Sequence, residues 1–381
     1  MRDRDAVSRR SFVGGVAGAL GVLGLRPAIA LANTSATIPH GRRPLDEYDA
    51  LAKLAANENP YGPPASVMQA MTEAFKYANR YGYPDGGIVA AIALHHGVGT
   101  ENILLGAGSG EILDAAGTTF LRNNKKVVSV EPTFDSVYAH VTGIKADAVK
   151  LPLLPDYRQD IPAMIAATKE FYRDVGFIYL CNPNNPTGRV VTTQEVKQLL
   201  DGIPDDVVVL IDEAYHHFVE HPGYATSVPY VLAGRPVIIT RTFSKIAALA
   251  GMRLGYAIAP PELIRQMRPF TMGSINAIVK WGGVAALNDI ESQATVKRVT
   301  LELRKQTTSD LSGLGFEVIP SETNFFMVNL RRPVQPVIES FRKSGVLVGR
   351  PFPPMLQHLR VSVGTADEMR RFMAAFKEIM A

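Results

Sequence analysis

Residues 241–256 read R-T-F-S-K-I-A-A-L-A-G-M-R-L-G-Y. They follow P-V-I-I-T at 236–240, an apolar, β-branched run that reads as a buried parallel strand. Ligands of open α/β sheets bind beyond the carboxyl ends of the strands. There the chain places Thr242, Ser244 and Lys245 and, after a stretch of small residues, Arg253. A lysine amine condenses with an aldehyde to a Schiff base, and hydroxyls with a guanidinium hold a phosphate. The stretch therefore has the parts of a site for a phosphorylated aldehyde. A surface lysine at a helix start fits the same residues, so the rest of the chain must decide.

Working outward, other strand ends carry compatible groups. The run V-V-V-L-I at 207–211 ends in Asp212-Glu213-Ala214-Tyr215. An aspartate there can pair with a protonated pyridine nitrogen and keep such a ring an electron sink. Tyr215 could bond a ring hydroxyl, although D-E-A alone also fits a helix cap. His216 and His217 follow, but adjacent histidines do not share a helix face, so no metal site is expected. In C-N-P-N-N-P-T-G at 181–188, two prolines and a glycine fix the backbone and leave Asn185 to offer an amide donor. In I-L-L-G-A-G-S-G-E-I-L at 103–113 a strand ends, glycines turn the chain and a helix begins near Ser109. Free N–H groups at such a start attract a phosphate. A nicotinamide fingerprint begins in the same way, and a plain strand-to-helix turn fits too. In E-P-T-F-D-S-V-Y at 131–138, Phe134 could stack on a heteroaromatic ring or fill the core.

Short apolar runs at 103–105, 126–130, 148–151, 177–180, 207–211, 237–240 and 255–259 alternate with helical patterns such as 110–121, 134–143 and 193–201. That alternation predicts an α/β fold, a mainly parallel sheet with helices on both faces. Residues 51–64 read as a turn-rich loop leading into a helix over 65–78. From about Ser274 the pattern changes to one long helical stretch reaching about Leu311. Short runs at 316–319, 325–329, 346–348 and 359–363 follow, then an amphipathic helix over 366–380. The expected division is a large domain over 81–273 and a smaller α+β domain over 274–381, with the N-terminal segment 34–80 joining the smaller domain.

The N-terminus reads S-R-R-S-F-V-G-G at 8–15, then a short run of Gly, Ala, Val and Leu, then A-I-A and A-L-A at 28–32. Basic, apolar and small-residue regions in that order make a signal peptide. Arg9-Arg10 with Phe12 resembles the twin-arginine export signal. The apolar run is short for a bilayer, so cleavage near residue 33 is expected, with no stable membrane anchor afterwards. The expected location is the periplasm or the exterior, or the cytoplasm if the signal is not used. A disordered basic tail or a weak anchor is the alternative. No cysteine follows the run, which excludes a lipoprotein. The chain's one cysteine, Cys181, excludes internal disulfides and any Cys-based metal cluster. With 40 basic and 36 acidic residues the charge is too balanced to predict nucleic-acid binding.

Taken together the motifs resemble the fold-type I pyridoxal-phosphate aminotransferases, and within them the histidinol-phosphate aminotransferase-like group. The carriers are N-E-N-P-Y-G at 57–62, Y-P-D-G at 83–86, G-A-G-S at 106–109, N-P-N-N-P-T-G at 182–188 and D-E-A-Y at 212–215. R-T-F-S-K at 241–245, A-G-M-R-L-G-Y at 250–256, T-N-F-F at 323–326 and L-R-V-S-V-G at 359–364 complete the set, in family order. The resemblance implies pyridoxal 5'-phosphate as cofactor and ping-pong transamination between an L-amino acid or related amine and a 2-oxo acid. Lys245 would hold the cofactor as a Schiff base and then serve as acid and base. Asp212 would pair with the pyridine nitrogen, Asn185 and Tyr215 would hold the ring hydroxyl, and Phe134 would stack on the ring. Gly108, Ser109, Gly110, Thr242, Ser244 and Arg253 would surround the phosphate. A homodimer is implied, in which the partner's Tyr83 would reach that phosphate. Arg360 would clamp the substrate carboxylate, with Tyr61, Asn185 and Asn324 in the substrate pocket. The family pattern is broken at Gly110, where aspartate is usual, after Lys245, and at Gly349, which displaces Arg350 from the usual V-R. The departure at Gly349 and the export signal favour a specialised amino-acid transaminase over the histidine-pathway enzyme. A decarboxylase or lyase on the same fold, or a non-enzymatic cofactor-binding protein, are the alternatives.

Overall fold

A computed structural model describes residues 48–381 of the chain. The expected export signal and residues 34–47 of the segment that follows it lie outside them. The apolar runs form the strands of a seven-stranded sheet. In chain order these are β2 (Ile103–Gly106), β3 (Lys126–Glu131), β4 (Asp147–Pro152), β5 (Val175–Cys181), β6 (Val208–Asp212), β7 (Val237–Thr242) and β8 (Gly255–Ile258). The spatial order is β2-β8-β7-β6-β5-β3-β4. The pairs from β4 through β7 are parallel, while β8 runs antiparallel to both β7 and β2.

The central strands β5, β6 and β7 are buried almost throughout because both faces of the sheet are covered there, whereas the edge strand β4 carries Asp147 and Lys150 and is partly exposed. On β5, Ile178 and Leu180 enter one hydrophobic cluster, and Phe177, Tyr179 and Cys181 enter the other. This is the period of two expected of a strand. Register then fixes where chemistry can occur. Cys181 pairs with Asp212 and Asp212 with Thr240, while Gly106 pairs with Gly255 and Gly255 with Thr242. The groups following β2, β3, β5, β6 and β7 therefore emerge along one edge.

The remaining strands are short. β9 (Glu317–Ile319), β10 (Phe325–Asn329) and β12 (His358–Ser362) form an antiparallel sheet ordered β12-β10-β9. β1 (Ala52–Leu54) pairs in parallel with β11 (Val346–Val348). The loop expected over 51–64 thus contains a strand. A-K-L is too short to show a period of its own, and pairing with β11 supplies what local sequence does not. The helix Ala366–Met380 starts at a capping box in which Thr365 and Glu368 satisfy each other's backbone N–H. Its Phe372 and Phe376 pack with Phe341 of the helix Val334–Lys343.

Other boundaries differ from expectation. The single helical stretch from 274 to 311 is two helices, Ala277–Asn288 and Ile290–Gly313. They break at Asp289, whose carboxylate accepts from Ser292 N at 3.1 Å and so starts a new helix. The helix expected over 65–78 is α-helical over Ala65–Ala74 and tightens to a 3-10 turn at Phe75–Tyr77. Helices at Ile88–His96 and Ile161–Glu170 were not among the expected ones. Residues 50–381 form one compact unit. No helix among the described residues is long and apolar enough to cross a membrane.

Candidate functional site

At the shared strand edge lies a cavity of about 260 Å³. One end is a cradle for an anion. The end of β7 and the turn after it supply Thr242 and Ser244, with Thr242 Oγ1 donating to Ser244 Oγ at 2.8 Å. Arg253 follows, held in the left-handed region at φ +59°. Its Nη1 donates to Ala250 O at 2.9 Å and its Nη2 to Ala107 O at 3.2 Å. Ser109 and Gly110 begin the helix Ser109–Phe120 and present its first turn to the same space. Gly108 has φ +83°, and any side chain there would run into the Arg253 guanidinium. Glycine is needed both for the turn and for that close approach. Hydroxyls, a guanidinium and unpaired helix N–H groups converge here, as an anion requires.

The other end is built on β6. Asp212 Oδ2 accepts from Tyr179 Oη at 3.1 Å, and its Oδ1 accepts from Ala214 N at 3.1 Å. Burial pushes the Asp212 carboxyl up, and the hydrogen bond from Tyr179 pulls it back toward the charged form. Tyr215 Oη accepts from Asn57 Nδ2 at 3.0 Å, and its ring meets Phe325 edge-on at 5.0 Å. Phe134 and Asn185 complete the lining.

Between the two ends stands Lys245, its Nζ 3.2 Å from Ala56 O and 5.6 Å from the centre of the Tyr215 ring. Loss of bulk water around the amine, together with the charge of Arg360, lowers its pKa to about 8. A second cavity of about 670 Å³ shares Phe134, Asn185, Tyr215 and Lys245 and extends outward to Arg360, Arg350 and Phe352. Arg360 on β12 is buried. Its Nη1 donates to Asn185 Oδ1 at 2.7 Å and its Nη2 to Ala55 O at 2.6 Å, both neutral oxygens, and its Nε has no hydrogen-bond partner. Burial lowers its pKa to about 10. A cation taken from water without a counter-ion is costly. An anionic ligand beside an amine would relieve that cost.

Two expected residues lie elsewhere. Tyr61 does not face Lys245 in this chain. It is 45% exposed and lines a separate cavity with Pro63, Ile246 and Asp289. The reason is the turn at Asn59, whose Oδ1 accepts from Tyr61 N at 3.0 Å while its Nδ2 donates to Ile246 O at 2.9 Å. Asn324 lines neither cavity. Its Nδ2 donates to Asn57 O at 3.0 Å and holds the loop behind the site. Tyr83, expected to act in a partner's site, donates to Ile275 O at 2.9 Å, under Lys280, and lines neither cavity of its own chain. His216 and His217 are partly buried with their rings 3.7 Å apart, and among the described residues no three His, Cys, Asp or Glu side chains cluster as metal ligands do.

Sequence reading missed two contributors. Tyr179 is one. The other is the buried pair Glu213–Arg241, at 2.7 Å, which ties the ends of β6 and β7 together beneath the cavity. Asn57, in the stretch 57–61 expected to shape the pocket, stands at φ +54°, where it receives Ser362 Oγ at 2.9 Å on Oδ1 and gives its amide to Tyr215. Glu213 and Arg241 stand beside Asp212 and Thr242 in the motifs, which is the signal that could have found them.

The sequence profile of the aminotransferase class I and II family matches residues 50–376. The histidinol-phosphate aminotransferase of Moorella thermoacetica is 36% identical over 339 residues, covering 86% of this chain and 85% of that one. Histidinol-phosphate aminotransferase 2 of Carboxydothermus hydrogenoformans is 33% identical over 366 residues, covering 92% and 98%. A solved structure from Erwinia carotovora atroseptica has a TM-score of 0.83 at 30% identity, covering 87% of this chain and 97% of that chain. The histidinol-phosphate aminotransferase of Sinorhizobium meliloti, solved in complex with pyridoxal-5'-phosphate, shares the fold with a TM-score of 0.79 at 23% identity, covering 92% and 99%.

Proposed function

We infer the work of this site from the premise that the chain belongs to the aminotransferase class I and II family. It is a pyridoxal-phosphate-dependent enzyme that moves an amino group between an L-amino acid, or a related amine, and a 2-oxo acid. The observation that carries the reading is one cavity system holding an amine of pKa about 8 and a buried arginine with no counter-ion.

The residues present fit the cofactor. Thr242, Ser244, Arg253 and the helix start at Ser109 and Gly110 would hold its phosphate, with Gly108 keeping the approach open. Asp212 would hold the protonated ring nitrogen, Asn185 and Tyr215 the ring hydroxyl, and Phe134 one face of the ring. When bound, the cofactor supplies the electron sink for charge left on the substrate's α-carbon. The protein's own residues do the rest. Arg360 takes the substrate carboxylate in a planar, two-point grip that lysine could not reproduce. That grip sets the α-carbon facing Lys245. Lys245 Nζ, partly uncharged near neutral pH, accepts the α-proton and returns it on the far side of the reaction. Asn324, by holding the carbonyl of Asn57, keeps Tyr215 supported.

The reading extends to assembly and location. Met68, Phe75, Tyr81, Leu94 and Met272 are exposed apolar side chains, which supports a homodimer in which the partner's Tyr83 completes the phosphate site. The paired arginines and apolar run at the N-terminus support export by the twin-arginine route, with the cofactor bound before export.

The deciding experiment mixes purified holoenzyme with a panel of amino acids and follows the cofactor's absorbance. Conversion to the amino form, with an oxo acid released, is the expected result. Release of carbon dioxide without an oxo acid would assign a decarboxylase instead. No spectral response to any amine would leave a binding protein.

A further inference from the structure

The outer end of the larger cavity carries two arginines stacked on one ring. The guanidinium carbons of Arg360 and Arg350 lie 4.6 and 4.3 Å from the centre of the Phe352 ring. The chain leaves them little choice. Gly349 N donates to Arg360 O at 2.9 Å, and a Cβ at 349 would approach that same oxygen to 2.8 Å. The backbone after β11 is thus pressed against β12 and delivers Arg350 to the rim.

The two cations are then treated differently. Arg360 has only neutral partners. Arg350 Nη2 donates to Asp135 Oδ2 at 2.5 Å, and its Nη1 donates to Pro351 O at 2.9 Å. Asp135 arrives from the opposite wall, in the turn after β3 beside Phe134. It stands at the N-cap position of the helix Ser136–Gly143, but its side chain accepts none of that helix's N–H groups. Its carboxylate is committed to Arg350 instead. Both residues line the cavity.

We propose that Asp135 is a specificity-determining residue, which neutralises Arg350 so that the outer cavity selects L-amino acids with uncharged, apolar or aromatic side chains over those bearing a carboxylate or phosphate. The proposal rests on the transamination reading and on Arg360 taking the α-carboxylate. The other walls agree with it, since Phe134, Ile338, Leu347 and Phe352 offer apolar surface. Arg342 also lines this space, but it is solvent-exposed at the end of its helix, where water and salt screen its charge. An anionic side chain would have to displace Asp135 while meeting its negative charge. The Asp135–Arg350 pair is half-exposed, so the selectivity it confers is roughly two- to fivefold.

The test compares kcat/KM of the holoenzyme for phenylalanine, leucine, glutamate and O-phosphoserine. Wild type is measured beside Asp135→Asn and the double variant Asp135→Asn/Arg350→Ala. Both positions are exposed, so folding is not at stake. Wild type should prefer phenylalanine or leucine. Asp135→Asn should raise the ratio of glutamate or O-phosphoserine to phenylalanine by roughly two- to fivefold, through KM, and the double variant should lose that gain. The proposal is overturned if wild type uses an anionic substrate as well as phenylalanine, if the ratio does not move in Asp135→Asn, or if the double variant keeps the gain. Failure of every amine to change the cofactor's absorbance is a separate result, which would overturn the transamination reading and this proposal with it.

Discussion

Tyr179 Oη donates to Asp212 Oδ2 at 3.1 Å, from one strand of the central sheet to the next, with both side chains buried. The bond favours the charged carboxylate against the burial that would neutralise it. An ionised Asp212 is what a protonated ring nitrogen needs as a partner.

Tyr179→Phe keeps the ring and its packing but removes this donor. The Asp212 pKa should rise further, and the dissociation constant for pyridoxal 5'-phosphate should increase about tenfold, the equivalent of one buried hydrogen bond to a charged group. Cofactor release on dilution, followed by absorbance, reads this directly. An unchanged dissociation constant would leave Tyr179 a packing residue only.

Lys245→Ala should abolish turnover while the phosphate cradle still binds cofactor non-covalently. In wild-type holoenzyme, borohydride reduction and peptide mapping should place the label at Lys245. Full turnover in the variant, or a label on another residue, rules out the assigned role.

Arg360→Ala should raise KM for the amino acid about 100-fold, the loss expected of a paired, charge-assisted contact with a carboxylate. It has a second consequence. The charge of Arg360 is one of the causes, after burial, that hold Lys245 down to about 8. Without it the Lys245 pKa should rise, and the acid limb of the activity profile should move to higher pH. A KM effect with no movement of that limb would separate the carboxylate grip from the electrostatic coupling.

Four histidines should make the fold acid-sensitive. His95 and His96 end one helix, and His216 and His217 follow β6. Facing them are Arg241 on β7, paired with Glu213, then Tyr256 on β8 at 2.8 Å from His96, and Lys297. Burial first, then the charge of Arg241, holds His96 and His217 down to about 3 from an ordinary 6.5. The folded state therefore binds fewer protons than the unfolded one between those values. Stability should be fully present above about pH 6.5 and lost progressively as pH falls toward 3. Urea melts at pH 7.5 and 5.0 should show the loss, and His217→Gln should shrink it. Equal midpoints at the two pH values would contradict the reading.

Much of this protein was determined by sequence alone. The apolar runs ending in Asp212 and Thr242, the glycine turn before Ser109 and the rigid loop around Asn185 all sit where strands stop. In a parallel sheet, strand ends share an edge whatever the details of packing, so those residues had to meet. What sequence could not decide is where individual side chains point once distant segments press on them. β1 exists because β11 pairs with it, Tyr61 turns outward because Asn59 ties the loop to Ile246, and the long helix breaks because Asp289 caps its second half. Tyr179 looks like any core aromatic until register sets it beside Asp212, and Asp135 meets Arg350 from 215 positions away. Local patterns carry no record of such contacts, because their energies depend on register and packing that only the folded chain possesses.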